Sequence, residues 1–332
     1  MSPEALSSFP VAAYAPASIG NFAAGFDLLG AAVAPLDGSP LGDVVEAAFA
    51  ETEAFYLQGP FATALQGDDR PNLVVRAAGL FREALAAKGR TVPPFRLRLD
   101  KRLPVSSGLG SSASSIVAAL VALQGLCGDP LTTAELLELA GRAECHASQG
   151  HHWDNVAPSL LGGLQLLVPG RDHPLATRRL AWPPDLLLVV VHPDFSLPTA
   201  QSRAVLPPQL GWPEAVAFAG NLAGFVHAVQ GGDRALLARC LRDPLAEPHR
   251  AALVPGFRAT QASALAAGAL GCTLSGSGPS LFAVAESEPA AERLREVLQA
   301  GFRAAGLESR AWVCALDPEG ARRVPALPEE AP

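Results

Sequence analysis

Lysine is almost absent from this chain, with Lys88 and Lys101 the only two. A Walker A loop needs Gly-Lys-Ser/Thr, and neither lysine stands in that setting. The dinucleotide pattern G-x-G-x-x-G and the hydrolase elbow G-x-S-x-G are also missing. Cysteine is sparse and scattered: Cys127, Cys145, Cys240, Cys272 and Cys314 are odd in number and show no C-x-x-C spacing. That set excludes a disulfide framework and suits reduced thiols in a cytosolic enzyme. No apolar run is long enough to span a membrane, although 49% of residues are hydrophobic. The N-terminus lacks the basic-then-apolar order of a signal peptide, so the expected location is the cytoplasm. Basic charge is in deficit as well. A net charge of −7 argues against general nucleic-acid binding but leaves room for a small anionic ligand.

What the chain has in quantity is glycine and serine placed with purpose. Residues 104–113 read P-V-S-S-G-L-G-S-S-A. Before them Phe95-Arg96-Leu97-Arg98-Leu99 alternates apolar and basic residues as a half-buried strand does. After them, Ser112 to Leu126 is rich in Ala, Leu, Ile and Val without proline, which predicts a packed helix. A Gly/Ser turn between strand and helix exposes backbone N–H groups at the positive end of the helix dipole. An ordinary Ser-capped helix start explains one such turn. Two glycines among four serines point further, to a phosphate cradle.

The chain of 332 residues is long enough for two domains. A Pro-rich stretch from Pro169 to Pro184 predicts a boundary, dividing an α+β unit at 10–168 from another at 169–318. The second half reads strand 186–191, helices 214–230, 233–241 and 258–269, strands 272–275 and 281–286, helix 288–304 and strand 311–316. That β-α-β-β-α-β order is the ferredoxin-like layout with an added helix. Residues 319–332, with Pro325, Pro328 and Pro332, are expected to form a flexible tail.

Isolated polar residues mark candidate sites. Thr132-Thr133-Ala134-Glu135 reads as a capping box opening a helix over 133–148. On that helix Glu144 falls on the apolar stripe of Leu137 and Ala140. It would be either an ion-pair partner of Arg142 or Arg76, or a ligand for magnesium near bound triphosphate. The phosphate cradle favours magnesium. His146, His151 and His152 lie beside Cys145, but their spacing matches no familiar zinc pattern. The segment His152-Trp153-Asp154-Asn155 is expected to form a substrate loop. Asn21 and Asp27 could cap a turn or receive an ammonium group. Thr273-Leu274-Ser275-Gly276-Ser277-Gly278-Pro279-Ser280 reads as a hairpin to which a ligand comes close.

Three motifs in this order resemble the GHMP small-molecule kinases, over nearly the whole chain from Tyr14 to Val313. They are A-P-A-S-I-G-N-F-A-A-G-F-D (15–27), P-V-S-S-G-L-G-S-S-A (104–113) and T-L-S-G-S-G-P-S (273–280). Glu144 followed by H-x-D-N-V-A-P at 152–158 resembles the homoserine kinases within that superfamily. L-P-T-A-Q-S-R (197–203) and E-P-H-R (247–250) are similar to their two arginine-bearing segments. The resemblance implies a ribosomal-protein-S5-domain-2-like N-terminal domain and a ferredoxin-like C-terminal one. It implies ATP-dependent phosphorylation of the L-homoserine side-chain hydroxyl on the way to threonine, and a homodimer.

By position, the resemblance gives the triphosphate to Pro104, Val105, Ser106, Ser107, Gly108, Leu109, Gly110, Ser111, Ser112, Ala113 and Ser114. Asn72 would lie near adenine, and Ser112 with Glu144 would bind Mg²⁺. Asn21, Asp27, His152, Arg203, Arg250 and Gly276 would surround the amino acid, with Asn155 and Arg203 meeting the reacting hydroxyl. Asp27 suits the ammonium and Arg250 the carboxylate. A loose phosphoryl-transfer transition state asks little of a base, so Asp154 is not expected to act as one. Ile19-Gly20, Phe22-Ala23 and Trp153 depart from the usual pattern, and Trp153 could narrow or reshape the pocket. Other branches fit less well: G-G-G-S-S-D and G-E-H are absent, and mevalonate-type kinases carry an aspartate where Asn155 stands. A catalytically silent binding protein of the same fold would have lost its magnesium or arginine positions, and those are present.

Overall fold

The computed structural model describes residues 9–66, 72–148, 153–170 and 175–328. The first half runs β1 (Val11–Pro16), β2 (Ser18–Gly20), β3 (Leu29–Pro35), β4 (Gly42–Phe49), β5 (Ala54–Gln58), α1 (Leu73–Ala87) and β6 (Phe95–Asp100). It continues with α2 (Ser111–Leu126), α3 (Thr133–Ser148), α4 (Trp153–Leu161) and β7 (Leu164–Val168). The second half begins with β8 (Ala176–Leu180), β9 (Leu187–Pro193), α5 (Thr199–Ala204), α6 (Trp212–Gly231), α7 (Arg234–Cys240) and α8 (Glu247–Arg250). It ends with α9 (Phe257–Ala266), β10 (Gly271–Leu274), β11 (Leu281–Ala285), α10 (Glu288–Ala304), β12 (Ser309–Leu316) and β13 (Arg322–Val324).

The strands of the described residues form two sheets, ordered β13-β1-β4-β6-β5 and β10-β11-β9-β12-β3-β7-β8, with β2 paired to β3. Within the second, β10-β11-β9-β12 is the antiparallel arrangement of a ferredoxin-like unit. Helix α2 carries no charged residue and is buried almost all round, because it lies between the first sheet and α1 and α3. The capping box is made: Thr132 N donates to Glu135 at 2.7 Å and Glu135 N to the Thr132 hydroxyl at 3.3 Å.

The sheets run across the expected boundary at Pro169, since β3 and β7 of the first half extend the second sheet, with Leu316 opposite Val33. One expectation needs correction: residues 319–328 are not a loose tail. Strand β13 pairs with β1, Leu327 is buried against Ala12, Tyr14 and Val44, and Arg98 donates to the Leu327 carbonyl at 2.8 Å.

The segment after β2 has an unusual conformation. Asn21, Phe22 and Ala23 have φ of 63°, 36° and 61°, successive left-handed residues that side chains with a Cβ seldom adopt. Phe22 anchors them: it is fully buried, stacks on Phe282 at 5.2 Å and meets Trp182 and Phe225 edge-on. This accounts for Phe22-Ala23 as core residues, and Ile19 joins the same cluster. Phe22→Ala should lower stability by about 3–5 kcal/mol in urea unfolding, through lost burial and the cavity left behind.

Candidate active site

The cradle turns from β6 into α2 with Ser106, Gly108 and Gly110 at φ of 55°, 78° and 64°. A Cβ on Gly108 would run into the carbonyls of Ser275 and Gly278, and one on Gly110 into the Ser18 hydroxyl. Glycine is required there because two other segments press against the turn. Ser18 N donates to the Leu109 carbonyl at 3.1 Å, and the Ser275 hydroxyl to the Gly108 carbonyl at 2.6 Å. Gly276 N reaches the Gly20 carbonyl at 3.1 Å. All three motifs therefore meet around one cavity of about 850 Å³.

Val105, Ser106, Ser107, Gly108, Gly110, Ser111 and Ser112 line that cavity. Four expected cradle residues do not. Leu109 and Ala113 are buried in the cores, Pro104 faces another hollow, and the Ser114 hydroxyl is taken by the Ala15 carbonyl (2.7 Å) and by Asp43 N (2.9 Å). At the cavity's apolar end stand Phe55, Leu57, Leu65 and Asn72. Asn72 caps α1 by accepting from Val74 N at 2.9 Å.

Glu144 lines the cavity from α3 and accepts the Ser112 hydroxyl hydrogen bond at 2.6 Å. Burial pushes its carboxyl up, while the Ser112 hydrogen bond and the Lys101 charge pull it down. Arg142, a suggested ion-pair partner, reaches Glu83 at 3.8 Å. Arg76 lines the same cavity from α1.

Sequence reasoning missed Lys101 beneath the cradle. It is buried, ion-paired to Asp43, and donates to the Ser111 carbonyl (2.8 Å) and the Ser115 hydroxyl (3.0 Å). Asp43 in turn accepts from Arg102 N and Leu103 N, both at 2.9 Å. Burial lowers the Lys101 pKa and Asp43 opposes the change. A lysine following a strand in a chain nearly without lysine was the available signal. Nothing local marks Asp43.

The opposite end of the cavity carries charges of both signs. Arg203 Nη2 donates to Asp27 Oδ1 and Oδ2 at 2.8 and 3.0 Å. Arg250 is buried, donates to the Ser202 and Gly276 carbonyls (3.2 and 3.0 Å), and lies over the Phe26 ring with Arg203. Asn21 Nδ2 donates to the Gly276 carbonyl at 3.3 Å, and its Oδ1 accepts from Asp27 N at 3.0 Å. Asp154 accepts from Asn21 N at 2.9 Å. Burial and then the Asp27 charge push its carboxyl up to about 7. Asn155 stands beside it, with its amide against Ser18.

The expected substrate loop is instead the start of helix α4, so Asp154 and Asn155 are held by helical backbone. Trp153 does not line the pocket. Its ring packs where a Cβ on Gly141 of α3 would sit, within the first core. His151 and His152 lie outside the described residues, as does the His146 side chain. Among the described residues no group of three His, Cys, Asp or Glu side chains could hold a metal. No helix of the described residues is long and apolar enough to cross a membrane.

A glycine-rich turn, a buried carboxylate beside a serine hydroxyl and a two-signed pocket form the outline of a phosphotransferase. The family described as GHMP kinases N terminal domain matches residues 72–163, and GHMP kinases C terminal matches residues 225–304. The crystal structure of homoserine kinase from Cytophaga hutchinsonii ATCC 33406 is similar at 34% identity and a TM-score of 0.86. The match covers 96% of this chain and 98% of that one. L. major mevalonate kinase in complex with R-mevalonate shares the fold at 18% identity, a TM-score of 0.66, and 94% and 97% coverage. Streptococcus pneumoniae phosphomevalonate kinase in complex with phosphomevalonate and AMPPNP does so at 16% identity and 0.66, covering 91% and 99%. The chain belongs to the GHMP kinases. It is an ATP-dependent small-molecule kinase.

Proposed function

We propose that this kinase phosphorylates the side-chain hydroxyl of L-homoserine, giving O-phospho-L-homoserine and ADP in threonine biosynthesis. The observation that carries this reading is the acceptor end of the cavity, where Arg203 and Arg250 stand with Asp27 and Asp154. A pocket with both signs of charge suits a small zwitterion, whose carboxylate and ammonium each need a buried counter-charge. The 34% identity with a homoserine kinase supports the same substrate.

In this reading the apolar end near Asn72 takes the adenine, and the cradle amides from Ser106 to Ser112 take the triphosphate. Ser112 and Glu144 fit Mg²⁺, being a hydroxyl and a buried carboxylate in contact on the cavity wall. When bound, the ion would neutralise charge developing on the phosphate oxygens. Arg250 takes the amino acid's carboxylate. Asp27, already tied to Arg203, takes its ammonium together with Asn21. Asn155 and Arg203 orient the hydroxyl and stabilise transferred charge, and no base is required because transfer through a loose transition state is mainly positioning. His152 belongs to the same set of proposed contacts. The protein is expected to act as a homodimer in the cytoplasm.

A coupled ADP-release assay with L-homoserine, mevalonate, galactose and shikimate tests the proposal. Turnover of homoserine is expected; turnover of mevalonate instead, or of none, would overturn it. Arg250→Leu should raise KM for homoserine roughly 10- to 100-fold through loss of a charge-assisted contact, with KM for ATP little changed. An unchanged homoserine KM would remove Arg250 from the site.

A further inference from the structure

Asp154 is the one buried carboxylate at the acceptor end that the proposed chemistry leaves without a task. Its two oxygens face different partners. Oδ2 accepts from Asn21 N at 2.9 Å, and Oδ1 accepts from Asn155 Nδ2 at 3.3 Å. The other end of the Asn155 amide, Oδ1, accepts the Ser18 hydroxyl at 3.0 Å. A Cβ on Gly110 would lie 3.1 Å from that same oxygen, so the amide sits against the cradle itself. Gly20 is equally confined, since a Cβ there would lie 2.5 Å from Asp154 Oδ2 and 2.6 Å from Asn155 Nδ2.

An asparagine amide has a donor end and an acceptor end of nearly the same shape, and packing alone cannot choose between them. An ionised carboxylate can choose, because it only accepts. From this geometry we infer that Asp154 is a positioning residue that fixes the polarity of the Asn155 amide toward the reacting centre and pins the left-handed turn at Asn21. The inference rests on the reading of Asn155 and Asn21 as acceptor-site groups. Through Asn21 the same carboxylate also sets Asp27, whose N–H is held by Asn21 Oδ1 at 3.0 Å. Asp154 thereby governs two segments that are far apart in sequence and meet at the acceptor.

The device works only while Asp154 is ionised, because a protonated oxygen facing Asn21 N–H or Asn155 Nδ2 would set donor against donor. The charged groups acting on it are Asp27, which disfavours ionisation, and Arg203 and Arg250, which favour it. Of the elements packed against α4, strands β2, β3 and β7 and helix α2 carry no ionisable side chain, and β1 carries only Tyr14. Among the described residues of α3, only Glu144 reaches the cavity. With burial and Asp27 pushing the carboxyl of the free enzyme up to about 7, kcat/KM for homoserine should fall about tenfold per pH unit on the acid side of neutrality.

Asp154→Asn tests this. The new carboxamide can still accept from Asn21 N–H, but its NH₂ then meets the NH₂ of Asn155. The Asn155 amide must reverse, turning its NH₂ to the Ser18 oxygen, which can accept it. Every hydrogen bond is kept and the fold should survive, melting no lower than wild type because a buried charge has been removed. The expected result is a loss of kcat on the order of 10²-fold, KM for ATP within twofold, and disappearance of the acid limb. Ser18→Ala, which releases the other end of the amide, should lower kcat about threefold to tenfold with the acid limb kept. A D154N enzyme with wild-type kcat, or one slow but still showing the acid limb, would overturn the assignment. If D154N fails to fold, the wild-type profile decides, since a kcat/KM for homoserine that stays flat from pH 5 to 8 is incompatible with it. Failure of the homoserine reading looks different: wild type would not turn over homoserine, and the same comparison would be run on the alcohol it does use.

Discussion

Glu144→Gln is expected to lower kcat by on the order of 10²-fold or more while leaving the melting temperature unchanged or higher. This carboxylate carries a cost to the fold. It is buried, and burial raises its pKa, so the fold itself disfavours the ionised form of this side chain. Glutamine keeps the volume and can still accept the Ser112 hydroxyl hydrogen bond, so the fold loses little. What it lacks is the negative charge with which Glu144 is proposed to hold a hard cation beside the triphosphate. Steady-state ADP release and differential scanning calorimetry on the same preparation check both halves. A variant with normal rate and lowered melting temperature would make Glu144 a structural partner instead.

Gly108→Ala is expected to disable the cradle, with kcat/KM for ATP reduced by on the order of 10²-fold. The position is left-handed, with φ of 78°, which already strains any residue bearing a Cβ. The decisive obstacle is steric, because the added carbon meets the backbone carbonyls of Ser275 and Gly278, which cannot rotate aside as a side chain would. The hairpin between β10 and β11 must be pushed off the glycine-rich turn, and the Ser275 hydrogen bond to the Gly108 carbonyl stretches with it. Nucleotide titration by isothermal calorimetry, alongside kinetics, separates lost ATP affinity from lost transfer. Wild-type ATP affinity and kcat/KM in this variant would show that the two segments do not need to touch.

Much of this was legible in the sequence because its signals are local. The strand at 95–99, the helix from Ser112, the capping box at Thr132 and the longer strands and helices between 186 and 316 follow from periodicity, caps and glycines within a few residues, whereas the short helices α5 and α8 do not. The turn between β6 and α2 could be placed because its glycines and serines are contiguous. What escaped depends on partners distant in the chain. Lys101 matters through Asp43, Asp154 through Asn21, and Arg322–Val324 form a strand only because β1 offers an open edge. Trp153 looked like a pocket residue because it adjoins Asp154. On a helix, neighbours in sequence point about 100° apart, so one faces the cavity and the other the core.

The pairing of Leu316 with Val33 limits how this kinase can move. A ladder of backbone hydrogen bonds joins its two halves, and β13 ties the chain's end back onto the first sheet. A jaw-like swing of one half against the other would have to tear those ladders apart at every turnover. Any shielding of the phosphoryl group from bulk water must therefore come from short pieces at the rim. Helix α5 is the natural one: it is six residues long, mostly at the surface, and carries Arg203.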